Sequence, residues 1–544
     1  MKIALAQIDP TVGDIAGNAR RIEDAIAQAE GQGAELAVFC ELAITGYPPR
    51  DLLSRTGFVR ASVQAIEALA KRCTKIAALV GFVRPSVQTP GRPLENAAAL
   101  LSGGKVAAVH VKKLLPSYDV FDETRYFEPG GPPMPLEVGG ARIGVSICED
   151  LWDPSALGRE LYPEDPIGRL RQVGAEIIIN MSASPFTVGK VAVREDLVRR
   201  QAQRAKAPII FVNQVGGNDE LIFDGGSLAV SGAGKLLGRC RAFQEDLLVV
   251  DTSGAPGRCQ APLEDIAQLA EALKLGLRDY VRKCGFKSAV LGLSGGIDSA
   301  VVATLAADAL GPRNVLALLM PSRYSSEHSL ADAASLAEKL GIPHRVVPIE
   351  AIHKAYEDVL NRQLAADRPE VTDQNVQARV RGAIVMAFSN AQGHLPLATG
   401  NKSELATGYC TLYGDMNGGL AVIGDVLKTT VYRLARHLNE CLGPRIPENT
   451  FAKPPSAELR PNQTDQDRLP PYELLDGVLE RYIEREEEIE QIIAAGFEPA
   501  LVRRVVNLVT TAEYKRRQAP PVLKVSPRAF GSGRRLPIAC RWGE

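Results

Sequence analysis

Three residues of types that can act as base, cation and nucleophile stand far apart in the chain, each where an apolar run gives way to a loop. Glu41 follows the run 36–40, Lys112 follows 106–111 and Cys148 follows 142–147. Strand ends that open into loops are where α/β sheets present their chemistry. Taken singly, each has a plain explanation: a cysteine there is commonly a small core residue, and a glutamate or lysine is commonly solvated. Taken together they have a chemistry. A thiolate is a strong nucleophile, a nearby ammonium lowers the pKa of a thiol, and a carboxylate can take up and return a proton. Lys113 adjoins Lys112 and competes for the cationic part.

A second set of residues points to a phosphate. Gly292-Leu293-Ser294-Gly295-Gly296-Ile297-Asp298-Ser299 joins an apolar run to a helical pattern. Its backbone N–H groups and the helix N-terminus would form an anion cradle. The loop is not G-x-x-x-x-G-K-S/T, so it lacks the lysine of loops that position a γ-phosphate for transfer. Further along, Arg379 and Arg381 fit the polar face of a helix, and Lys515-Arg516-Arg517 fits a solvated basic run.

The elements that must position these groups follow from hydrophobic periodicity. Residues 3–8, 35–39, 76–82, 97–101, 106–111, 142–148, 176–180 and 208–213 read as strands alternating with amphipathic helices. Strands 97–101 and 106–111 leave no room for a crossover helix, which predicts a mixed sheet. Turn formers crowd residues 251–257 and place a domain boundary there, with a helix beginning near Pro262. Strand 289–293, the glycine-rich turn, helix 299–310 and strand 315–320 follow the βαβ order of a parallel nucleotide-binding sheet. Residues 453–471 and the basic last 30 residues read as mobile loops.

The 544 residues exceed one compact core and predict two large domains. Sixty-three basic residues nearly cancel sixty-four acidic ones, so no long-range field draws in nucleic acid or an anionic membrane. No run of about 18 apolar residues is present and the start has no signal-peptide core, giving the expectation of a cytoplasmic chain. Nine cysteines, an odd number without paired C-x-x-C spacing, argue against a full disulfide framework.

In this order, E-L-x-x-T-G-Y-P at Glu41, K-x-x-L-P at Lys112 and G-V-x-I-C-E-D-x-W at Cys148 resemble the carbon–nitrogen hydrolase (nitrilase) superfamily. The resemblance implies a four-layer α-β-β-α sandwich over residues 1–255, with Glu41 as general base, Lys112 as the cation and Cys148 as nucleophile. It also implies a glutamine pocket of Tyr118, Ser184 and Lys190, the last standing where relatives often carry arginine.

S-G-G-x-D-S resembles the pyrophosphate loop of N-type ATP pyrophosphatases. With Asn375-Val376-Gln377-Ala378-Arg379, Ala398-Thr399-Gly400-Asn401-Lys402-Ser403-Glu404 and Tyr413-Gly414-Asp415, most of residues 289–515 resembles NAD synthetases, which implies a synthetase domain over residues 263–544. That likeness implies a Rossmann-like parallel-sheet domain in which Gly292, Leu293, Ser294, Gly295, Gly296, Ile297, Asp298, Ser299, Thr399, Lys428 and Ser456 bind ATP. Asn375, Glu404 and Lys515 would bind deamido-NAD, and Asp298 and Glu404 would hold Mg²⁺. The expected function is glutamine-driven amidation of an adenylated deamido-NAD, with small-molecule partners and a homo-oligomeric assembly carried over from the family.

Overall fold

The computed structural model describes residues 1–254, 256–365 and 369–540. Ala255 of the expected boundary and residues 541–544 of the expected tail lie outside the described residues. The chain divides into two compact units, Met1–Leu263 and Glu264–Glu544.

The first unit carries strands β1 (Lys2–Gln7), β2 (Leu36–Val38), β3 (Ala77–Pro85), β4 (Leu94–Ser102), β5 (Lys105–Val111), β6 (Leu136–Val138), β7 (Ala141–Ile147), β8 (Ile177–Ser182), β9 (Ile209–Asn213), β10 (Val215–Asn218), β11 (Leu221–Asp224), β12 (Leu228–Val230), β13 (Leu236–Arg239) and β14 (Asp246–Asp251). One six-stranded sheet runs β14-β1-β2-β3-β4-β5 and a second runs β13-β12-β9-β8-β7-β6, with β10 and β11 a separate hairpin. Both sheets are mixed: β1-β2-β3 and β7-β8-β9 are parallel, and their other neighbours pair antiparallel.

The period of two along each strand divides the apolar residues among three cores. Ile3, Leu5, Val145, Ile147, Ile179 and Met181 pack between the sheets. Ala4 and Ala6 turn outward to meet Ile22, Ile26, Ile66 and Leu69 of helices Ile15–Gly31 and Thr56–Ala70. Ile178 and Phe211 turn the other way, toward Leu197, Val198 and Ala202 of helix Lys190–Ala205. A slip of one residue in β1 or β8 would exchange these faces, so the layering fixes the register that presents the strand ends. The result is the expected α-β-β-α sandwich.

The second unit opens with helix Asp265–Lys283 and builds a five-stranded sheet from β15 (Ala289–Gly292), β16 (Val315–Leu319), β17 (His344–Val346), β18 (Leu395–Ala398) and β19 (Leu420–Ala421). Its order is β17-β16-β15-β18-β19, and every pairing is parallel. The chain leaves β15 toward β16 on one side and returns to β18 on the other, so the carboxyl end of β15 is the switch point where such sheets bind ligands.

Two expectations need correction. Helix Ile297–Leu310 starts two residues earlier than its apolar pattern implied, placing Asp298 in the first turn where a carboxylate suits the helix dipole. The C-terminal tail is bound through much of its length. Val522 bridges to Ala421, Asp425 accepts from the backbone of Val525 and Ser526, and buried Lys402 donates to Ser526 Oγ at 2.7 Å and Arg528 O at 2.9 Å.

Candidate functional site

In the first unit, Glu41 follows β2 in a turn that requires Leu42 at a φ of 47°. Gly81 of β3 lies so close that a Cβ there would stand 2.4 Å from Leu42 N, so the sheet admits this turn only where it has no side chain. Glu41 Oε1 accepts from Lys112 Nζ at 2.6 Å and from Asn96 Nδ2 at 2.7 Å, and Glu41 Oε2 accepts from Ala183 N at 3.2 Å. Lys112 Nζ also donates to Glu123 Oε1 at 2.8 Å, and Lys112 is fully buried. Lys113 instead pairs with Glu164 at 3.1 Å. Of the two adjacent lysines, Lys112 is the one bonded to Glu41.

Cys148 starts a short 3-10 turn, Cys148–Leu151, with its backbone at a φ of 44°. Asp150 fastens this turn to the Lys112 segment: its carboxylate accepts from Ile147 N at 3.0 Å and Leu114 N at 2.7 Å. Burial, then the charge of Glu41, pushes the Cys148 thiol well above its ordinary range, and Lys112 opposes without prevailing. Lys112 lowers the thiol as expected, but desolvation and the charge of Glu41 outweigh that one attractive charge. Lys112 behaves oppositely. Burial would lower it, but Glu123 and Glu41 outweigh that and hold it charged.

The three expected pocket residues have different settings. Tyr118 donates to Glu149 at 2.9 Å. Ser184 Oγ is buried without a hydrogen-bond partner among the described residues, and its backbone is fixed by Asn213 Oδ1 at 2.8 Å. Lys190 Nζ donates to Pro185 O at 2.9 Å and stands over the Trp152 ring.

In the second unit a cavity of about 390 Å³ opens at the end of β15. All fourteen residues expected there from sequence line it: 292–299, Asn375, Thr399, Glu404, Lys428, Ser456 and Lys515. Gly295 has a φ of 82°, and a Cβ on it would stand 2.4 Å from Ser329 O, so only glycine fits. Ser294 and Ser299 hold the loop from within through hydroxyls 3.1 Å apart. Asp298 is ion-paired with Lys428 and accepts from Asn401 Nδ2 at 2.9 Å. Glu404 closes a capping box with Asn401 and lies 3.8 Å from Lys428. Burial, then Asp298, pushes the Glu404 carboxyl well up.

Known proteins share both units. The carbon-nitrogen hydrolase family model matches residues 2–255 and the NAD synthase model residues 269–519. A glutamine-dependent NAD(+) synthetase of Synechocystis sp. is 48% identical over 549 residues, covering 99% of this chain and 98% of the relative. That of Thermotoga maritima is 41% identical over 584 residues, covering 100% and 99%. The chain belongs to the glutamine-dependent NAD(+) synthetase family. The solved structure of the Acinetobacter baumannii family member in complex with ADP matches with a TM-score of 0.79 at 37% identity, covering 99% of this chain and 98% of that one.

In this NAD(+) synthetase family member several site residues carry no sequence signal. Glu123 comes from a short 3-10 turn, Glu123–Arg125, with no motif of its own, yet it bonds both Lys112 and Tyr47 Oη, the latter at 2.8 Å. Burial raises it to about 7 against the pull of Lys112. Tyr162 joins Tyr118 on Glu149. Lys515 lines the cavity, but its ammonium already donates to Gly408 O at 2.6 Å and Cys410 O at 2.7 Å. Arg516, expected as part of a solvated run, is buried against Glu513 and the carbonyls of Leu405 and Ala406. The carboxyls of Asp298, Glu404 and Asp465 all act on the Lys428 ammonium, and Glu404 is raised first by burial and then by the charge of Asp298. Asp298 and Glu404 are the oxygen donors that would hold Mg²⁺ together with substrate phosphates; among the described residues no group of three or more His, Cys, Asp or Glu forms a metal site by itself.

Proposed function

We propose that this protein makes NAD from deamido-NAD and ATP, releasing AMP and pyrophosphate, with ammonia cut from glutamine by its first unit. The observation that carries the reading is that both chemical clusters are complete in one chain: Glu41–Lys112–Cys148 buried in the first unit, and the Gly295–Gly296 loop with Asp298, Glu404 and Lys428 in the second.

In the first unit, the raised pKa of Cys148 means that it rests as a thiol, so attack on the amide of glutamine requires a base. Glu41 takes the proton as sulfur bonds to the carbonyl carbon, and returns it to nitrogen as the C–N bond breaks and ammonia leaves. Lys112, held charged, stabilises the oxyanion of the tetrahedral intermediate. Water then attacks the thioester carbonyl with Glu41 again receiving a proton, which passes to the Cys148 sulfur as the C–S bond breaks and glutamate leaves. Tyr118, Ser184 and Lys190 form the glutamine pocket, and the unpartnered Ser184 hydroxyl is the group there that still needs a ligand.

In the second unit, the Gly295–Gly296 loop and the N-terminus of helix Ile297–Leu310 hold the departing pyrophosphate, and Thr399, Ser456 and Lys428 bind the rest of ATP. Mg²⁺ held by Asp298 and Glu404 would neutralise charge on the phosphates. Asn375, Glu404 and Lys515 position deamido-NAD, whose nicotinate carboxylate attacks the α-phosphate. Ammonia then displaces AMP. Neutral ammonia is scarce in bulk water near pH 7, which favours a sheltered path between the sites. Residues 1–255 thus form the glutaminase domain and 263–544 the synthetase domain. Homo-oligomers are supported by helix Glu350–Leu360, which leaves Ile352, Tyr356 and Val359 exposed at helical spacing. No helix among the described residues is long and apolar enough to cross a membrane.

The test is incubation with deamido-NAD, ATP and Mg²⁺ plus either glutamine or ammonium. NAD and AMP are expected with both nitrogen sources. Release of ADP and phosphate instead would overturn the adenylation chemistry.

A further inference from the structure

Four cations of the synthetase cavity are accounted for. Lys428 is paired with Asp298, Lys453 with Glu458, Lys515 donates to two carbonyls, and Arg468 is exposed to solvent. Arg381 is different. It lies on helix Val371–Gln392, on the face where Gln374, Ala378 and Val385 also line the cavity. Its Nε donates to Met320 O at 3.0 Å, just past the carboxyl end of β16, and this single bond aims the guanidinium. Its two Nη atoms have no hydrogen bond or ion pair among the described residues. Glu458, the one opposite charge it feels, already accepts from Lys453, Ser326 and Ser329.

A half-buried guanidinium whose forked donors face a cavity without a protein partner is a site for an anion. Burial also draws this guanidinium down to about 10, the mark of a charge that the protein itself leaves uncompensated. We infer that Arg381 binds a phosphate group of a substrate in this cavity. The inference rests on the proposed NAD-forming reading, in which ATP and deamido-NAD both bring phosphates. The nicotinate carboxylate suits the position less well. It must attack phosphorus, and an arginine clamped on it would tie up the oxygen lone pairs that attack.

The experiment uses the full chain and ammonium-driven synthesis. ATP is varied at saturating deamido-NAD, then deamido-NAD at saturating ATP, for wild type, Arg381→Gln and Arg381→Lys. Arg381→Gln keeps a donor for Met320 O and removes the charge and the fork. It should raise the KM of one nucleotide roughly 10- to 100-fold, the loss expected for charge-assisted hydrogen bonds, and move the other less than about twofold. A selective rise for ATP assigns its phosphates as the ligand, and a selective rise for deamido-NAD assigns that dinucleotide's. Arg381→Lys should recover part of the affinity, since it restores charge without the fork. Calorimetric titration of Arg381→Lys with each nucleotide alone keeps the test open if Arg381→Gln folds poorly. Unchanged KM values for both nucleotides would overturn the inference. So would equal rises in both with a lowered melting temperature, which marks a structural role. Wild-type synthesis from ammonium is the control: its absence would sink the NAD-forming reading rather than the role of Arg381.

Discussion

Cys148 has a setting that raises its thiol pKa, so its reactivity depends on the base beside it more than on any standing thiolate. Cys148→Ala should therefore lower glutamine-driven NAD formation by roughly 10⁴-fold or more, as for loss of a nucleophile that works within a unit. Ammonium-driven formation should stay within about twofold, and a parallel fall of both rates would refute the two-site reading. Glu123 sets a second test. Its carboxyl titrates near 7 in the folded chain against an ordinary 4.5, so the folded state keeps a proton that the unfolded chain gives up. Stability from this group is lost as pH rises across that window, and Glu123→Gln should flatten the dependence of melting temperature on pH there. The same substitution should remove a step near pH 7 from the glutaminase profile and leave the ammonium-driven profile unchanged. The three candidate residues Glu41, Lys112 and Cys148 stand out in the sequence because each ends a strand inside a motif, whereas Glu123 and Asn96 reach Lys112 and Glu41 only through folding. Arg381 was read as helix surface because its spacing is that of a polar face; only the position of β16 turns that face into a cavity wall.

The elements divide by length into those the sequence shows and those it hides. β7, β8 and β9 are apolar runs of five to seven residues, long enough for a period to register. β6 and β12, of three residues each, and β19, of two, are defined by their neighbours in the sheet rather than by any pattern of their own. The bound tail was illegible for a related reason: its order comes from the distant Asp425 and Lys402, which composition does not report. At the β15 turn the sequence and the structure meet in Gly295. Gly295→Ala would force an L-residue to a φ of 82°, costing about 1–2 kcal/mol locally, and would drive a Cβ into Ser329 O. Synthesis from glutamine and from ammonium should both fall more than about tenfold, given the role proposed for the loop in holding pyrophosphate. Glutamine hydrolysis measured without ATP should remain near wild type. Normal synthesis in this variant would mean that the loop does not cradle the leaving group.

At the scale of the whole molecule, each unit has its own cores and its own complete cluster. The first closes on two sheets and their flanking helices. The second has separate apolar cores around its parallel sheet and among its later helices. The division between Leu263 and Glu264 falls just before helix Asp265–Lys283, where the chain crosses from one core to the other. A core, a site and a boundary in an exposed segment are what an independently folding domain needs. Residues 1–263 expressed alone should therefore hydrolyse glutamine, and residues 264–544 alone should form NAD from ammonium with release of AMP. Neither piece should make NAD from glutamine, and Cys148→Ala should abolish hydrolysis in the first piece just as in the full chain. Mixing the two pieces decides how ammonia moves. If it crosses through bulk solvent, the mixture should match the full chain at every pH, both gaining toward mildly alkaline pH, where more of it is the neutral amine. If a sheltered path depends on both units being held together, the mixture should fall short of the full chain at every pH, and its NAD yield per glutamine hydrolysed should drop well below one. A yield near one from the unlinked pieces at neutral pH would count against the sheltered path.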